Sequence, residues 1–221
     1  MSEACEAFGT PVVSGNVSLF NETDRGAIYP TPTVGMVGVM KDVSRYSTPA
    51  FERGGDAIVL VGDFRPSLAG SEYLEILRGQ VWGVPPEPNV ATEKEVADAV
   101  RKAIEAGIVD TAHDLSGGGL AVALAKMTVS GGVGAEVQLL PGGRQDVTLF
   151  GETGGCILVA VPEDRVGELD AVLADVPHSR IGSVGGEWLN VAGAVDIGVG
   201  EISAAYERDL FDVPVVPEEI G

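Results

Sequence analysis

Residues 112–127, AHDLSGGGLAVALAKM, join a predicted strand to a predicted helix through a turn of three glycines. The apolar residues within 109–115 predict the strand, and residues 119–128 predict the helix. One face of that helix is apolar, because four residues recur there at helical spacing: Leu120, Ala123, Leu124 and Met127. A helix with such a face packs against another apolar layer, so this segment predicts a layered arrangement of strands and helices.

Strand and helix patterns alternate on both sides of this segment. Residues 56–61, DAIVLV, predict a buried strand, and residues 92–95, TEKE, form a capping box at the start of a helix that ends at Gly107. The other predicted elements are strands at 156–161 and 180–184, helices at 71–77, 163–174 and 201–210, and a hairpin that pairs 188–191 with 194–197. We therefore expect an α+β fold, a mixed sheet with helices covering one of its faces.

The first 53 residues do not have the pattern of a complete domain. A predicted helix stops at Gly9, and residues 11–13 and 33–40 predict two buried strands separated by a polar loop. Two strands and one helix end cannot close a core. We therefore expect residues 1–53 to be part of something larger and residues 54–221 to form an intact domain.

The charge balance bears on the choice of partners. The chain has 221 residues, 33 of them acidic and 14 basic, which gives a formal charge of −19. Such a surface repels nucleic-acid phosphates and anionic lipids, so we expect neither nucleic acid nor membrane as a partner. The N-terminus lacks the pattern of a signal peptide, and we expect a cytoplasmic protein. The acidity fits either a salty cytoplasm or an ordinary acidic cytosolic protein.

The loop at residues 14–18, SGNVS, is the first candidate site. Gly15 allows backbone amides to approach a ligand, Asn16 offers an amide oxygen to a hard cation, and Ser18 offers a hydroxyl. The alternative is an Asn/Ser turn that satisfies its own backbone.

The glycine turn at 116–119 is the second candidate site. Free amides at the start of the following helix could hold an anion, or Ser116 could cap the helix. His113 and Asp114 are adjacent on a strand and point to opposite faces, so they do not form a simple hydrogen-bonded pair. A Ser–His–Asp catalytic triad therefore has the least support of the three interpretations.

The third candidate site is residues 149–156, LFGETGGC. Glu152 is either a functional group or a solvated turn carboxylate. Cys156 opens an apolar strand, which predicts a buried and unreactive thiol. Cys5 and Cys156 lie too far apart in sequence for a zinc-binding CxxC motif.

Together these segments resemble the second half of the phosphoribosylformylglycinamidine synthase family. The resemblance rests on EACEAFGTPVVSGNVSLFNET at 3–23, IYPTPTVGMVGVM at 28–40, the glycine turn within 112–127 and LFGETGG at 149–155. It implies an AIR synthase-related C-terminal domain at 54–221, preceded by a remnant of the second ATP-binding (AIR synthase-related N-terminal) domain at 1–53. The family commonly has Asp where this chain has Gly117 and Arg where it has Cys156, which argues against a charged role for those two turns.

The resemblance also implies a reaction and a set of partners. ATP activates the formamide oxygen of formylglycinamide ribonucleotide as a phosphate, and ammonia from a glutaminase subunit displaces it to give the amidine. The motif places Gly15 at ATP, Asn16 at Mg²⁺ and Ser18 at the substrate, and it implies a glutaminase subunit and a small accessory subunit as partners. It assigns no catalytic residue to this chain, because the family's catalytic histidine lies in N-terminal domains.

Three interpretations of the whole chain remain open. In the first, it is a synthase fragment that is inactive alone. In the second, it is a self-contained ligand-binding or kinase-like member of the same superfamily. In the third, it is a non-enzymatic interaction module whose unpaired strands within residues 10–40 dock on a partner or on a second copy as a homodimer.

Overall fold

The computed structural model describes residues 1–24, 26–138 and 143–208. It divides the chain into two units, Met1–Val43 and Ser44–Gly221. Arg25 in the predicted polar loop and residues 209–210 of the predicted last helix lie outside the described residues.

The first unit contains little regular structure. Helix α1, Ser2–Phe8, ends at Gly9, whose φ of 64° is left-handed as in many helix ends. The strands β1, Glu22–Thr23, and β2, Gly26–Ala27, form a two-residue antiparallel ladder. None of the described residues of this unit is buried, so they form no core of their own.

The two strands predicted at 11–13 and 33–40 are wrong. Both stretches are irregular, and their apolar side chains are exposed, with Val13 at 92% and Val37 at 97%. A strand needs a neighbouring strand to pair its N–H and C=O groups. Among the described residues, this unit has only the short β1–β2 ladder, so an apolar pattern alone does not make a strand here.

The second unit is a seven-stranded sheet with helices. Its strands are β3 (Ala57–Val61), β4 (Thr111–Asp114), β5 (Ala135–Val137), β6 (Ile157–Val161), β7 (His178–Val184), β8 (Trp188–Val191) and β9 (Val195–Gly198). Its helices are α2 (Glu72–Arg78), α3 (Val90–Glu105), α4 (Gly119–Gly131), α5 (Gln145–Phe150), α6 (Val166–Val172) and α7 (Val199–Tyr206), with a 3₁₀ turn at Glu163–Arg165. The strand order is β4-β6-β3-β7-β5-β8-β9. Only β5 and β8 pair in parallel within this sheet, so the predicted mixed sheet is confirmed.

Helices pack on both faces of this sheet, so the expectation of one covered face is wrong. All five residues of β3 are buried. Ile58 and Leu60 belong to a core with α4, α5 and α7, whereas Val59 and Val61 belong to a second core with α3 and α6. Successive side chains of a strand point to opposite faces, so a strand that is apolar at every position requires cover on both sides.

Helix α3 begins earlier than the capping box predicted. The Asn89 side-chain oxygen accepts a hydrogen bond from the Thr92 amide at 3.2 Å, and the helix starts at Val90. Asn is among the preferred residues at this position, because its oxygen satisfies an amide that has no partner within the helix. The TEKE sequence therefore lies inside the first turns of α3 rather than before them.

Residues just after the first unit pack into the second. Thr48 forms an isolated parallel bridge with Thr111 of β4, and its carbonyl oxygen accepts from the Ala112 amide at 2.9 Å. Phe51 is fully buried in the core that contains α4, and its amide donates to the Met127 carbonyl oxygen at 3.1 Å. The domain boundary between residues 53 and 54 stays a prediction.

Candidate functional site

The loop of residues 14–18 is exposed along its whole length. Among the described residues, Asn16 and Ser18 make no side-chain hydrogen bond, and a Cβ built on Gly15 would have no neighbour within 4 Å. The Ser18 carbonyl oxygen accepts a hydrogen bond from the Asn21 side-chain amide at 2.9 Å. The loop therefore leaves the Asn16 oxygen and the Ser18 hydroxyl available, and the roles expected for Gly15, Asn16 and Ser18 stay predictions.

The part of the chain that the structure describes has neither a cluster of metal-ligating side chains nor a membrane-spanning helix. No three His, Cys, Asp or Glu side chains come together there as a metal site. No helix in that part has the length and apolar character needed to cross a membrane. The Asn16 oxygen has the chemistry of a Mg²⁺ ligand, but a single amide oxygen does not hold the ion by itself.

A cleft of about 540 Å³ opens in the second unit. It lies where strands β3 and β4 end and where helices α3 and α4 begin, and it includes the turn before β6. Its polar and charged lining residues are Asp63, Arg65, Glu87, Asn89, Thr92, Glu93, Ser116, Glu152 and Thr153. The structure therefore brings the second and third candidate turns together at one cleft.

Glu152 is the central contact of that cleft. Its Oε1 accepts hydrogen bonds from the Gly118 amide at 3.1 Å and from the Glu72 amide at 2.9 Å. Gly118 is the N-cap of α4, with a φ of 82°, and Glu72 is the first residue of α2. The interpretation of Glu152 as a solvated turn carboxylate is therefore wrong, as is that of Ser116 as the cap of α4.

Close packing holds Glu152 in this position. Its backbone pairs with that of Ser67 through two hydrogen bonds, of 3.0 and 2.8 Å. A Cβ at Gly119 would lie 2.5 Å from the Gly151 carbonyl oxygen, and a Cβ at Gly151 would lie 2.8 Å from Pro66 Cβ. Larger residues do not fit at these two glycines without a backbone shift, so the turn at 116–119 and the loop before β6 are interlocked.

Carboxylates dominate the charge of the cleft. Arg65 is the one cationic side chain among its described lining residues, and it pairs with Asp63 at 2.6 Å. Glu93 lies over the turn at Gly154 and Gly155, where an added Cβ would come within 2.7 Å of its side chain. Sequence reasoning missed the cleft residues of α3, although an Asn before a helical apolar repeat was a usable signal for the start of that helix.

His113 forms a hydrogen bond with the backbone, and Cys156 is buried. His113 Nδ1 donates to the Asp114 carbonyl oxygen at 2.6 Å, whereas the Asp114 carboxylate lies 3.5 Å away, so the short contact is not a side-chain pair. Burial raises the pKa of the Cys156 thiol to about 11, which disfavours the thiolate. The predicted burial of Cys156 is confirmed, and its lack of reactivity stays a prediction.

Comparisons with known proteins agree with the fold and with the family resemblance. The sequence model of the AIR synthase related protein, C-terminal domain, matches residues 53–193. Phosphoribosylformylglycinamidine synthase subunit PurL of Anaeromyxobacter sp. is 43% identical over 98% of this chain, and the match spans 29% of that protein. The chain thus spans less than a third of the length of this relative.

Solved structures support the fold. Thermotoga maritima PurL complexed with FGAR superposes with a TM-score of 0.62, over 81% of this chain and 32% of that one, at 19% identity. The structure of PurLQS from Thermotoga maritima gives a TM-score of 0.60 at 19% identity, over 81% of this chain and 31% of that one. At identities this low the superpositions establish the fold alone, and they confirm the expected α+β fold class. The chain belongs to the AIR synthase related family, as its resemblance to phosphoribosylformylglycinamidine synthase indicated, and residues 53–193 are the family's C-terminal domain.

Proposed function

We propose that this chain carries part of the nucleotide- and substrate-binding region of a phosphoribosylformylglycinamidine synthase. The full protein would convert formylglycinamide ribonucleotide to its amidine with ATP and glutamine-derived ammonia, as an ATP-dependent ligase of purine biosynthesis. The observation that carries the proposal is the 43% identity to a PurL subunit over 98% of the chain. Because the chain spans 29% of that relative, we propose that it has no synthase activity alone.

The loop at 14–18 is the part of the chain proposed to contact the ligands. Gly15, without a side chain, lets the backbone approach ATP; Asn16 gives an oxygen to Mg²⁺; and Ser18 gives a hydroxyl to the ribonucleotide substrate. Their exposure supports this assignment, since none of these three groups is used for packing. Mg²⁺ in such sites also takes oxygens from substrate phosphates, so Asn16 would be one ligand of several.

The proposed partners follow from the same family. We propose a glutaminase subunit, which supplies ammonia, a small accessory subunit, and a cytoplasmic location. A protein named PurLQS from Thermotoga maritima shares the fold of this chain and supports an assembly of several subunits. The charge of −19 supports small-molecule and protein partners over nucleic acid and anionic membrane.

A chimeric enzyme tests the proposal. The 221 residues would replace the matched stretch of the Anaeromyxobacter PurL subunit, and amidine formation would be measured with ATP, Mg²⁺ and ammonia. We expect activity in the chimera and a loss of at least about tenfold on Asn16→Ala, because a metal ligand is removed. Asn190→Ala, the same change at an exposed position on β8, is the control and should keep full activity.

Two outcomes would contradict the proposal. The first is a folded chimera that does not turn over the substrate. The second is turnover by the 221-residue chain alone, which would show that essential groups lie within it.

A further inference from the structure

Glu152 occupies a position that free anions commonly take in proteins. The start of a helix presents unpaired amides and the positive end of its dipole, and phosphate and sulfate bind there. Helix α4 is 13 residues long, and its N-cap Gly118 has no side chain to accept hydrogen bonds from these amides. The Gly118 amide instead donates to Glu152 Oε1, a carboxylate from a loop 34 residues further along the chain.

The other charged residues of the cleft also disfavour an incoming anion. Asp63, Glu87 and Glu93 also line it, and the one cationic lining residue among those described, Arg65, has an 81% exposed side chain paired with Asp63. An incoming phosphate would therefore meet carboxylates around a Gly118 amide that already donates to Glu152. Like charges at short range raise the cost of bringing an anion into such a space.

We infer that Glu152 is a built-in anion that keeps phosphate-bearing ligands away from the start of α4. The cleft then favours neutral or cationic groups, and Glu152 is a specificity-determining residue. This inference concerns the second unit alone and does not depend on the proposed synthase activity. It replaces the earlier hypothesis that the glycine turn at 116–119 binds an anion.

The test uses inorganic phosphate and the full 221-residue chain. Binding would be followed at the Gly118 amide by NMR, and by the phosphate dependence of Tm against chloride at equal ionic strength. In the wild type we expect no saturable shift of that amide. In Glu152→Ala we expect a saturable shift, with a Kd at least about tenfold below the highest phosphate concentration at which the wild type shows none, because the Gly118 amide and the helix dipole become available. Phosphate should then raise the Tm of this variant, since a ligand of the folded state stabilises it.

Glu87→Ala is the matched control. Glu87 lines the same cleft, and no amide of the described residues donates to its carboxylate, so this change removes a charge without freeing an amide. Its phosphate response should equal that of the wild type. An equal response in Glu87→Ala and Glu152→Ala would overturn the inference, because general charge rather than occupancy would then control binding.

Glu152→Gln covers the case in which Glu152→Ala does not fold. Glutamine keeps an acceptor oxygen for the two amides but loses the charge, and phosphate forms the stronger, charge-assisted hydrogen bonds. We expect phosphate to bind Glu152→Gln more tightly than the wild type. No increase in the folded Glu152→Gln variant, or saturable binding at Gly118 in the wild type, would overturn the inference.

Discussion

Phe51→Ala tests whether residues before position 53 belong to the core of the second unit. The Phe51 side chain is 0% exposed, and it packs in the cluster that contains Leu124 and Met127. Removing a fully buried Phe side chain costs about 3–5 kcal/mol, through lost burial and the cavity that remains. In a chain of this length that corresponds to a fall in Tm of roughly 6–20 °C.

The assay is urea unfolding followed by circular dichroism, with Phe8→Ala as the control. Phe8 is 42% exposed on α1, in a unit where no described residue is buried, and its loss should change stability by about 0.5 kcal/mol or less. A change of less than about 1 kcal/mol for Phe51→Ala would refute the packing argument, because such a value is typical of a surface site. A large change would move the start of the folded domain to a residue before 51.

Two further predictions concern the same unit. A Cβ at Gly131 would overlap the Phe51 carbonyl oxygen, so Gly131→Ala should lower the free energy of unfolding by about 1–3 kcal/mol in the same assay. Gly167 on α6 has no neighbour within 4 Å of an added Cβ, so Gly167→Ala should raise the free energy of unfolding by about 0.5–1 kcal/mol. The opposite order of the two variants would contradict the packing. The Arg53 guanidinium donates two hydrogen bonds to Asp110, at 2.7 and 2.8 Å, and it lowers the pKa of that carboxyl. Because the folded-state pKa is the lower one, this stabilisation is full above the unfolded value of about 4 and is lost as pH falls through the folded value. The difference in Tm between wild type and Asp110→Asn should therefore be largest near neutral pH and should shrink in acid, and a difference that does not vary with pH would contradict the pairing.

The central strands and helices could be predicted from sequence because their patterns are long and apolar. The run at 56–61 is apolar over five consecutive residues, and β3 forms there with both faces buried. The alternation of predicted strands and helices did not indicate which face of the sheet each helix covers. A strand with no polar side chain was the available signal for two covered faces.

Short elements were missed because their stability comes from neighbours that are distant in sequence. Strand β5 has three residues and a Glu at its centre, and it is held by β7 on one side and β8 on the other. The opposite error occurred at 33–40, where an apolar pattern predicted a strand and the first unit supplies no partner for one among its described residues.

The role of Glu152 could not be predicted because its contacts are not local. Its two amide partners lie 34 and 80 residues away along the chain. Sequence motifs identified the loop that contains Glu152 and the glycine turn that contains Gly118, but not that they meet. The loop at 14–18 differs, because its candidate residues Gly15, Asn16 and Ser18 lie within four positions of one another and a sequence motif alone can propose them.

The most direct test of the proposed site is a crystal structure of the chimeric synthase with Mg²⁺ and a non-hydrolysable ATP analogue. We predict a Mg²⁺ ion about 2.0–2.1 Å from the Asn16 side-chain oxygen, the distance that this ion requires of its ligands. We also predict that the nucleotide lies against the Gly15 backbone. A Mg²⁺–nucleotide complex bound elsewhere, with Asn16 in contact only with solvent, would contradict the assignment of this loop.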